Sequence, residues 1–253
     1  MKFDALDKKM RQYETWNEAT ILNGMFLVAR IDGRGFTRLT KELLDFEKPF
    51  DKRFHALISE TVQHLMNCGF NVIYGYTQSD EISLLFHPKE IAFAGKIRKY
   101  TSLLAGEASA KFSLLLGQLG VFDCRMIQLP NPSLVIDYFR WRQEDAHRNA
   151  LSAHCYWLLR SQGLTANEAT QQINRLNTAG KNELLFSYNI NYNDLPSWQK
   201  RGTGFYWKTK NSIGTNPVTG NTQPVERRYI FKDEELPMQD AYSQLLAKFL
   251  ENI

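Results

Sequence analysis

Asp32-Gly33-Arg34 and Ser79-Asp80-Glu81 each put acidic side chains at the edge of a hydrophobic run. The first run, Met25 to Ile31, ends in Asp32; the second, Ile82 to Phe86, begins directly after Asp80 and Glu81. Paired carboxylates suit Mg²⁺, a hard cation that takes one or two of them and leaves its other positions to substrate phosphates and water. Two such ions side by side activate a hydroxyl and stabilise a leaving pyrophosphate in an in-line displacement. Gly33 lets the backbone approach a metal or phosphate and offers its carbonyl as a ligand. Asp32 alone would read as a turn residue, because Asp-Gly is a common turn pair. The second motif moves the reading to phosphoryl transfer. Glu81 points to the opposite side of a strand from Asp80, so it is either a third carboxylate or a strand-end acid oriented by Arg30 or Arg34.

These residues need elements to bring them together. Phe54, Leu57, Ile58, Thr61, Val62, Leu65 and Met66 follow a helical three-and-four spacing within 50–66, and Gly69 supplies a stop. Two strands at 70–76 and 81–87 are joined by four residues, a hairpin length. A second helical pattern runs over 91–116, and 121–129 reads as another strand. The order β-α-β-β-α-β describes a split βαβ, ferredoxin-like sheet with helices on one face. Its first and third strands are central, so Asp32 and the β2-β3 turn meet at one edge. Ser133 is a candidate N-cap for a helix to about residue 161, and Thr165 with Glu168 forms a capping-box pattern for a helix to about 178. Strands at 202–210 and 225–232 flank a polar, mobile connector at 211–221, and a last helix covers 238–250. The fold class is α+β, with residues 1–132 a catalytic core and 133–253 a helical and hairpin extension packed on it as one structural unit.

At 253 residues the chain buries a substantial core and is no disulfide-stapled scaffold. Cys68, Cys124 and Cys155 are odd in number and lack CxxC spacing, which argues against structural zinc and for core thiols in a reducing compartment. No apolar stretch approaches the roughly 20 residues needed to span a bilayer, so a cytoplasmic protein without a membrane partner is expected. The net charge of +4, from 31 basic and 27 acidic residues, does not identify a nucleic-acid binder. Its distribution gives two basic segments, one at Lys89, Lys96, Arg98, Lys99 and Lys111 and one at Arg140, Arg142 and Arg148, that are either phosphate-facing or solvated helix faces.

Arg30-Ile31-Asp32-Gly33-Arg34-Gly35-Phe36 and Gly75-Tyr76-Thr77-Gln78-Ser79-Asp80-Glu81 resemble the signature of the tRNA-histidine guanylyltransferase superfamily. The resemblance continues through Asp123-Cys124-Arg125, the stretch from Trp141 to His147, Lys181 to Phe186, and Ile190 to Asn193. It implies a palm like that of polymerases and nucleotide cyclases, acting in the 3'-to-5' direction. A tRNA 5'-monophosphate is activated by a nucleoside triphosphate, usually as an adenylate, and the 3'-hydroxyl of GTP or another NTP then attacks it. Asp32, Asp80 and the Gly33 carbonyl would hold two Mg²⁺ ions, with Glu81 as a further catalytic acid. Arg34, Gly35, Phe36, Lys48, Ser79 and Asn149 would contact the nucleotide. Lys96, Lys99, Arg125 and Lys181 would bind a second nucleotide or the RNA 5' end. The resemblance also implies a homotetramer with tRNA crossing subunits.

One stretch departs from the histidine-specific enzymes, which follow the matching histidine with Ile-Asn-Asn-Leu-Tyr-Asn. Here His147 is followed by Arg148-Asn149-Ala150-Leu151-Ser152-Ala153. This resembles the guanylyltransferase-like branch, which repairs tRNA 5' ends against a template. Strict marking of histidine tRNA, nucleotide cyclisation and noncatalytic RNA binding are the alternatives. Trp141, Tyr156 and Trp157 are assigned to packing rather than base stacking; His147, like Arg142, either contacts phosphate or is structural, as a satisfied core histidine, and His154 has no motif support.

Overall fold

The structure, a computed structural model, describes residues 2–40, 44–90, 92–215 and 221–251. Among the described residues six antiparallel strands form one sheet in the order β4-β1-β3-β2-β5-β6: β1 (Phe26–Arg34), β2 (Val72–Gln78), β3 (Glu81–Phe86), β4 (Val121–Leu129), β5 (Thr203–Thr215) and β6 (Thr222–Asp233). The first four have the expected ferredoxin-like order with β1 and β3 at the centre. The C-terminal hairpin lengthens that sheet by pairing β5 with β2, Tyr74 opposite Tyr206 and Thr77 opposite Thr203.

Strand alternation sends neighbouring side chains to two different cores. Leu27, Ala29 and Ile31 of β1 face α3 (Lys52–Leu65) and α4 (Ile97–Leu116), where they meet Ile58, Val62, Leu104 and Phe112. Val28 faces the other way, toward Val135 and Phe139 of α5 (Pro132–Ser161) and Tyr242 and Leu246 of α9 (Gln239–Glu251). Helices therefore cover both faces, where the sequence pattern placed them on one. The second layer comes from the C-terminal half of the chain, so the first core's periodicity gave no sign of it.

Local chemistry accounts for the ends. Asp51 caps α3 by accepting from the backbone N–H of Arg53 and Phe54. Asn131, not Ser133, caps α5: its side chain accepts from Leu134 N at 2.9 Å, with Pro132 at the first helical position. Thr165 and Glu168 close the expected capping box on α6 (Ala166–Asn174). That helix ends before 178 because Asn177 caps a separate helix, α7 (Thr178–Phe186). The described residues also include two further short helices, α2 (Phe36–Arg38) and α8 (Ser197–Arg201), and a terminal helix, α1 (Phe3–Thr15). Ile91, the expected start of the second helix, lies outside the described residues; α4 begins at Ile97. The β5-β6 ladder runs to Thr215 opposite Thr222, so residues 211–215 of the expected connector are strand, and its 216–220 portion lies outside the described residues.

α5 is 30 residues long, about 45 Å. Its first half packs on the sheet, and its second half, with α6 and α7, builds a third core around Leu151, Cys155, Ile173 and Leu185. One continuous helix thus runs from the sheet to the wall of the cleft at the end of β1. All three cysteines are free; Cys155 is buried in this third core, while Cys68 and Cys124 are half-buried against the first. No helix among the described residues is long and apolar enough to cross a membrane.

Candidate active site

Register brings the acids together. Asp32 lies directly opposite Glu81 on β3 and Asp123 on β4, all on the face that carries α5. Asp80 occupies the β2-β3 turn, which is two residues long because Gln78 pairs with Glu81. Ser79 takes φ 55° there, the positive value such tight hairpins require. A Cβ built on Gly33 would sit 2.7 Å from Asp80 Oδ2 and 2.5 Å from Phe36 Cδ2, so Asp80 leans over a backbone that tolerates no side chain. Burial, with the nearby Asp32 charge adding to it, pushes the Asp80 carboxyl up to about 6.

Glu81 is differently placed. Arg142 from α5 grips it bidentately, Nε to Oε1 at 2.6 Å and Nη2 to Oε2 at 2.9 Å, while Arg30 Nη2 stands 2.5 Å from Oε2 and 4.0 Å from Asp32 Oδ2. Of the two orienting bases that the sequence offers, Arg30 takes this role; Arg34 is exposed at the end of β1. Arg142 also reaches Asp145 at 3.2 Å, and Asp145 accepts from Asn149 Nδ2 at 3.2 Å.

Above these acids opens a cleft of about 680 Å³, within the usual range for small-molecule sites. Asp32, Ser79, Asp80 and Glu81 form its floor, Phe36, Thr37, Thr40, Pro49 and Phe50 one side, and α5 with α6 the other. Among residues expected at a nucleotide, Ser79 and Asn149 line this cleft. Phe36 lines it too, but its ring is packed against Phe54, Phe112 and Phe122. Lys48 lines a smaller neighbouring hollow with Trp198, donates to the Thr40 carbonyl and lies 5.9 Å over the Trp157 ring. Gly35 has φ 74° and begins the turn into α2.

The second-ligand residues scatter. Arg125 lies opposite Arg30 on the same face, exposed beside the acids. Lys181 backs the cleft wall by donating to Ser152 Oγ at 2.9 Å. Lys96 and Lys99 are not brought to the cleft. They lie at the start of α4, where Lys96 bridges to Thr20 upstream of β1, whereas Asp32 pairs near the start of β4, beyond the far end of that helix. A 20-residue helix, about 30 Å, separates the two ends. Lys96 and Arg98 are held by Glu18 at 2.8 and 2.6 Å.

Sequence reasoning assigned Tyr156 and Trp157 to packing, yet both line the cleft, as do Thr170, Ile173 and Asn174 of α6. The latter three share a helix face, i, i+3, i+4, but only the bend of the chain after α5 turns that face to the acids. Trp141 is exposed and stacks on Arg142 at 4.5 Å. His147 and His154, both half-buried, pack against Tyr192, and His154 also packs against Phe50. The basic segments read from sequence are largely neutralised, Lys111 by Glu60 and Arg140 by Glu144. A different basic surface appears on the hairpin: Lys208, Lys210, Arg227 and Arg228 form no ion pair among the described residues, and three of them sit over rings, Lys208 over Tyr206 and Phe231, Lys210 over Tyr229 and Arg228 over Trp207.

Two carboxylates and a backbone carbonyl form an all-oxygen donor set of the kind Mg²⁺ takes. Among the described residues no group of three or more His, Cys, Asp or Glu side chains is arranged to hold a metal by itself. A cation at Asp32 and Asp80 would complete its shell with phosphate oxygens and water, and the residues present fit it.

Comparison with known proteins bears on this geometry. Residues 7–130 match the family model for tRNAHis guanylyltransferase, and residues 133–242 match that for the Thg1 C terminal domain. A mouse probable tRNA(His) guanylyltransferase is 32% identical over 220 residues, covering 83% of this chain and 73% of the mouse protein. The tRNA(His) guanylyltransferase of Schizosaccharomyces pombe is 32% identical over 204 residues, 77% of each. Among solved structures, a bacterial tRNA(His) guanylyltransferase-like protein in complex with ATP aligns with TM-score 0.75 and 27% identity over 96% of this chain and 98% of that one. The Saccharomyces cerevisiae tRNA(His) guanylyltransferase aligns with TM-score 0.71 and 28% identity over 80% and 92%.

Proposed function

This chain belongs to the tRNAHis guanylyltransferase family and is a nucleotidyltransferase, and from that premise we propose that it adds nucleotides to tRNA 5' ends in the 3'-to-5' direction, as template-dependent repair. The observation that favours repair is the position of Ala150, Ser152 and Ala153. The stretch in which this chain departs from the histidine-specific pattern is itself cleft wall, and it presents small side chains there.

Asp32, Asp80 and the Gly33 carbonyl would hold Mg²⁺, which supplies charge neutralisation of the phosphates and activation of the attacking hydroxyl. The Ser79 hydroxyl on the cleft floor and the Lys48 ammonium in the neighbouring hollow are donors suited to anionic oxygen. Tyr156 and Trp157 offer ring faces for a base. Arg125 stands where a second phosphate group can be met without competing for Asp32. In the first half-reaction the 5'-monophosphate oxygen attacks the α-phosphorus of ATP and pyrophosphate leaves. In the second, the 3'-hydroxyl of the incoming NTP attacks the activated 5' phosphorus and AMP leaves. The basic and aromatic hairpin fits an RNA backbone, with a homotetramer bringing one subunit's hairpin toward another's cleft. Lys96 and Lys99, remote from the cleft of their own chain, would serve only across such an interface.

The test uses 5'-truncated and full-length tRNAs carrying a labelled 5' phosphate, with ATP and single NTPs. Template-matched addition to several truncated tRNAs is expected. Addition of a single G to histidine tRNA alone would replace repair with identity marking, and a cyclic nucleotide made without RNA would overturn both.

A further inference from the structure

Arg142 engages two acids at once. Its guanidinium, about 9% exposed, holds Glu81 through two hydrogen bonds and Asp145 through a third. Glu81 adjoins Asp80 in sequence and is directly opposite Asp32 in register, so its Cβ lies about 5 Å from that of Asp32 on the same face. Register therefore leaves Glu81 within reach of Asp32. What keeps it away is the pair of arginines, which occupy both carboxylate oxygens.

We infer that Arg142 is a positioning residue that, together with Arg30, withholds Glu81 from the cation site and so fixes the number of carboxylates there at two. The inference rests on the reading of Asp32 and Asp80 as metal ligands. Two carboxylates leave an Mg²⁺ ion positions to take up phosphate and to exchange them during turnover. A third would bind the cation more tightly while blocking a substrate position. The same guanidinium fixes Asp145, which orients Asn149 on the cleft wall, so one side chain sets both the floor and the wall.

The experiment is titration of the full chain with Mn²⁺ alone, read by electron paramagnetic resonance, beside steady-state incorporation. Arg142→Met frees Glu81 Oε1 while Arg30 stays on Oε2, and Mn²⁺ is expected to bind more tightly while kcat falls about 10- to 100-fold with little change in KM for the NTP. Glu81→Gln, which keeps the shape and an acceptor, leaves Mn²⁺ affinity at the parent value. The double variant Arg142→Met, Glu81→Gln returns to parent affinity. A merely structural arginine would not tighten metal binding on removal. Arg142→Met that folds and binds Mn²⁺ no more tightly, or Glu81→Gln that weakens binding as Asp80→Asn does, overturns the inference. If Arg142→Met does not fold, the Glu81→Gln titration decides by itself. Asp80→Asn separates the two levels: loss of Mn²⁺ binding upholds the metal reading whichever way Glu81→Gln behaves, and retained binding overturns that reading and this inference with it.

Discussion

Gly33→Ala should damage the enzyme through a single methyl group. The added Cβ would lie 2.5 Å from Phe36 Cδ2 and 2.7 Å from Asp80 Oδ2, about 1 Å inside ordinary contact distance. Phe36 cannot retreat, because its ring stands 4.9 Å from Phe122 and 5.1 Å from Phe112, centroid to centroid, with Phe54 at 6.0 Å. The Asp80 side chain, on a two-residue turn, gives way instead. Overpacking of this kind costs about 1–3 kcal/mol. In a domain of this size that corresponds to a Tm lower by about 2–12 °C. A displacement near 1 Å at a positioning carboxylate costs on the order of 100-fold in rate. Gly106→Ala is the control, since the same methyl group on α4 meets nothing within 4 Å and lies inside a helix, where alanine is favoured by about 0.5–1 kcal/mol. Differential scanning calorimetry and single-turnover incorporation, run on both variants, should move in opposite directions in Tm, with activity lost only in Gly33→Ala. Parent-like activity and Tm in Gly33→Ala, or equal losses in the two, would refute the packing argument.

Burial lowers His55 and His154 to about 4 from an ordinary value near 6.5, with the Lys232 charge adding at His55 and the Lys200 charge at His154. Between those pH values the unfolded chain binds the extra protons, so stability is full above about pH 6.5 and is lost as pH falls toward 4; Tm measured from pH 7 to 5 should decline, and His55→Gln should flatten the slope. Trp157→Ala should weaken NTP binding by about 1–3 kcal/mol, measured by isothermal titration, and unchanged affinity would return this ring to a packing role. Joint replacement of Lys208, Lys210 and Arg227 by Gln should weaken tRNA binding and flatten its salt dependence, by a slope of about 0.7–0.9 for each phosphate no longer neutralised, while leaving Mn²⁺ affinity unaltered. Asp51→Ala removes a cap that also accepts from the Glu47 N–H and should cost about 1–2 kcal/mol in chemical denaturation.

The sequence by itself determined the elements whose signals are local. The helical spacing from Phe54 to Met66, the strand from Val121 to Leu129, the capping box at Thr165 and the tight link between two strands are written in neighbouring residues, and the structure reproduces each within a few positions. The order of those elements placed β1 beside β3, and so Asp32 beside the Ser79-Asp80 turn. Tertiary structure decided what depends on residues far apart in the chain. Arg142 meets Glu81 across 61 positions, Trp157 and Asn174 reach the cleft only because α5 overshoots the sheet, and Lys96 falls at the wrong end of α4. Glu81 shows the difference most plainly. Its type and spacing leave it either a third carboxylate or a strand-end acid oriented by a nearby base, and the arginines packed against it from β1 and α5 decide for the second, a carboxylate already neutralised.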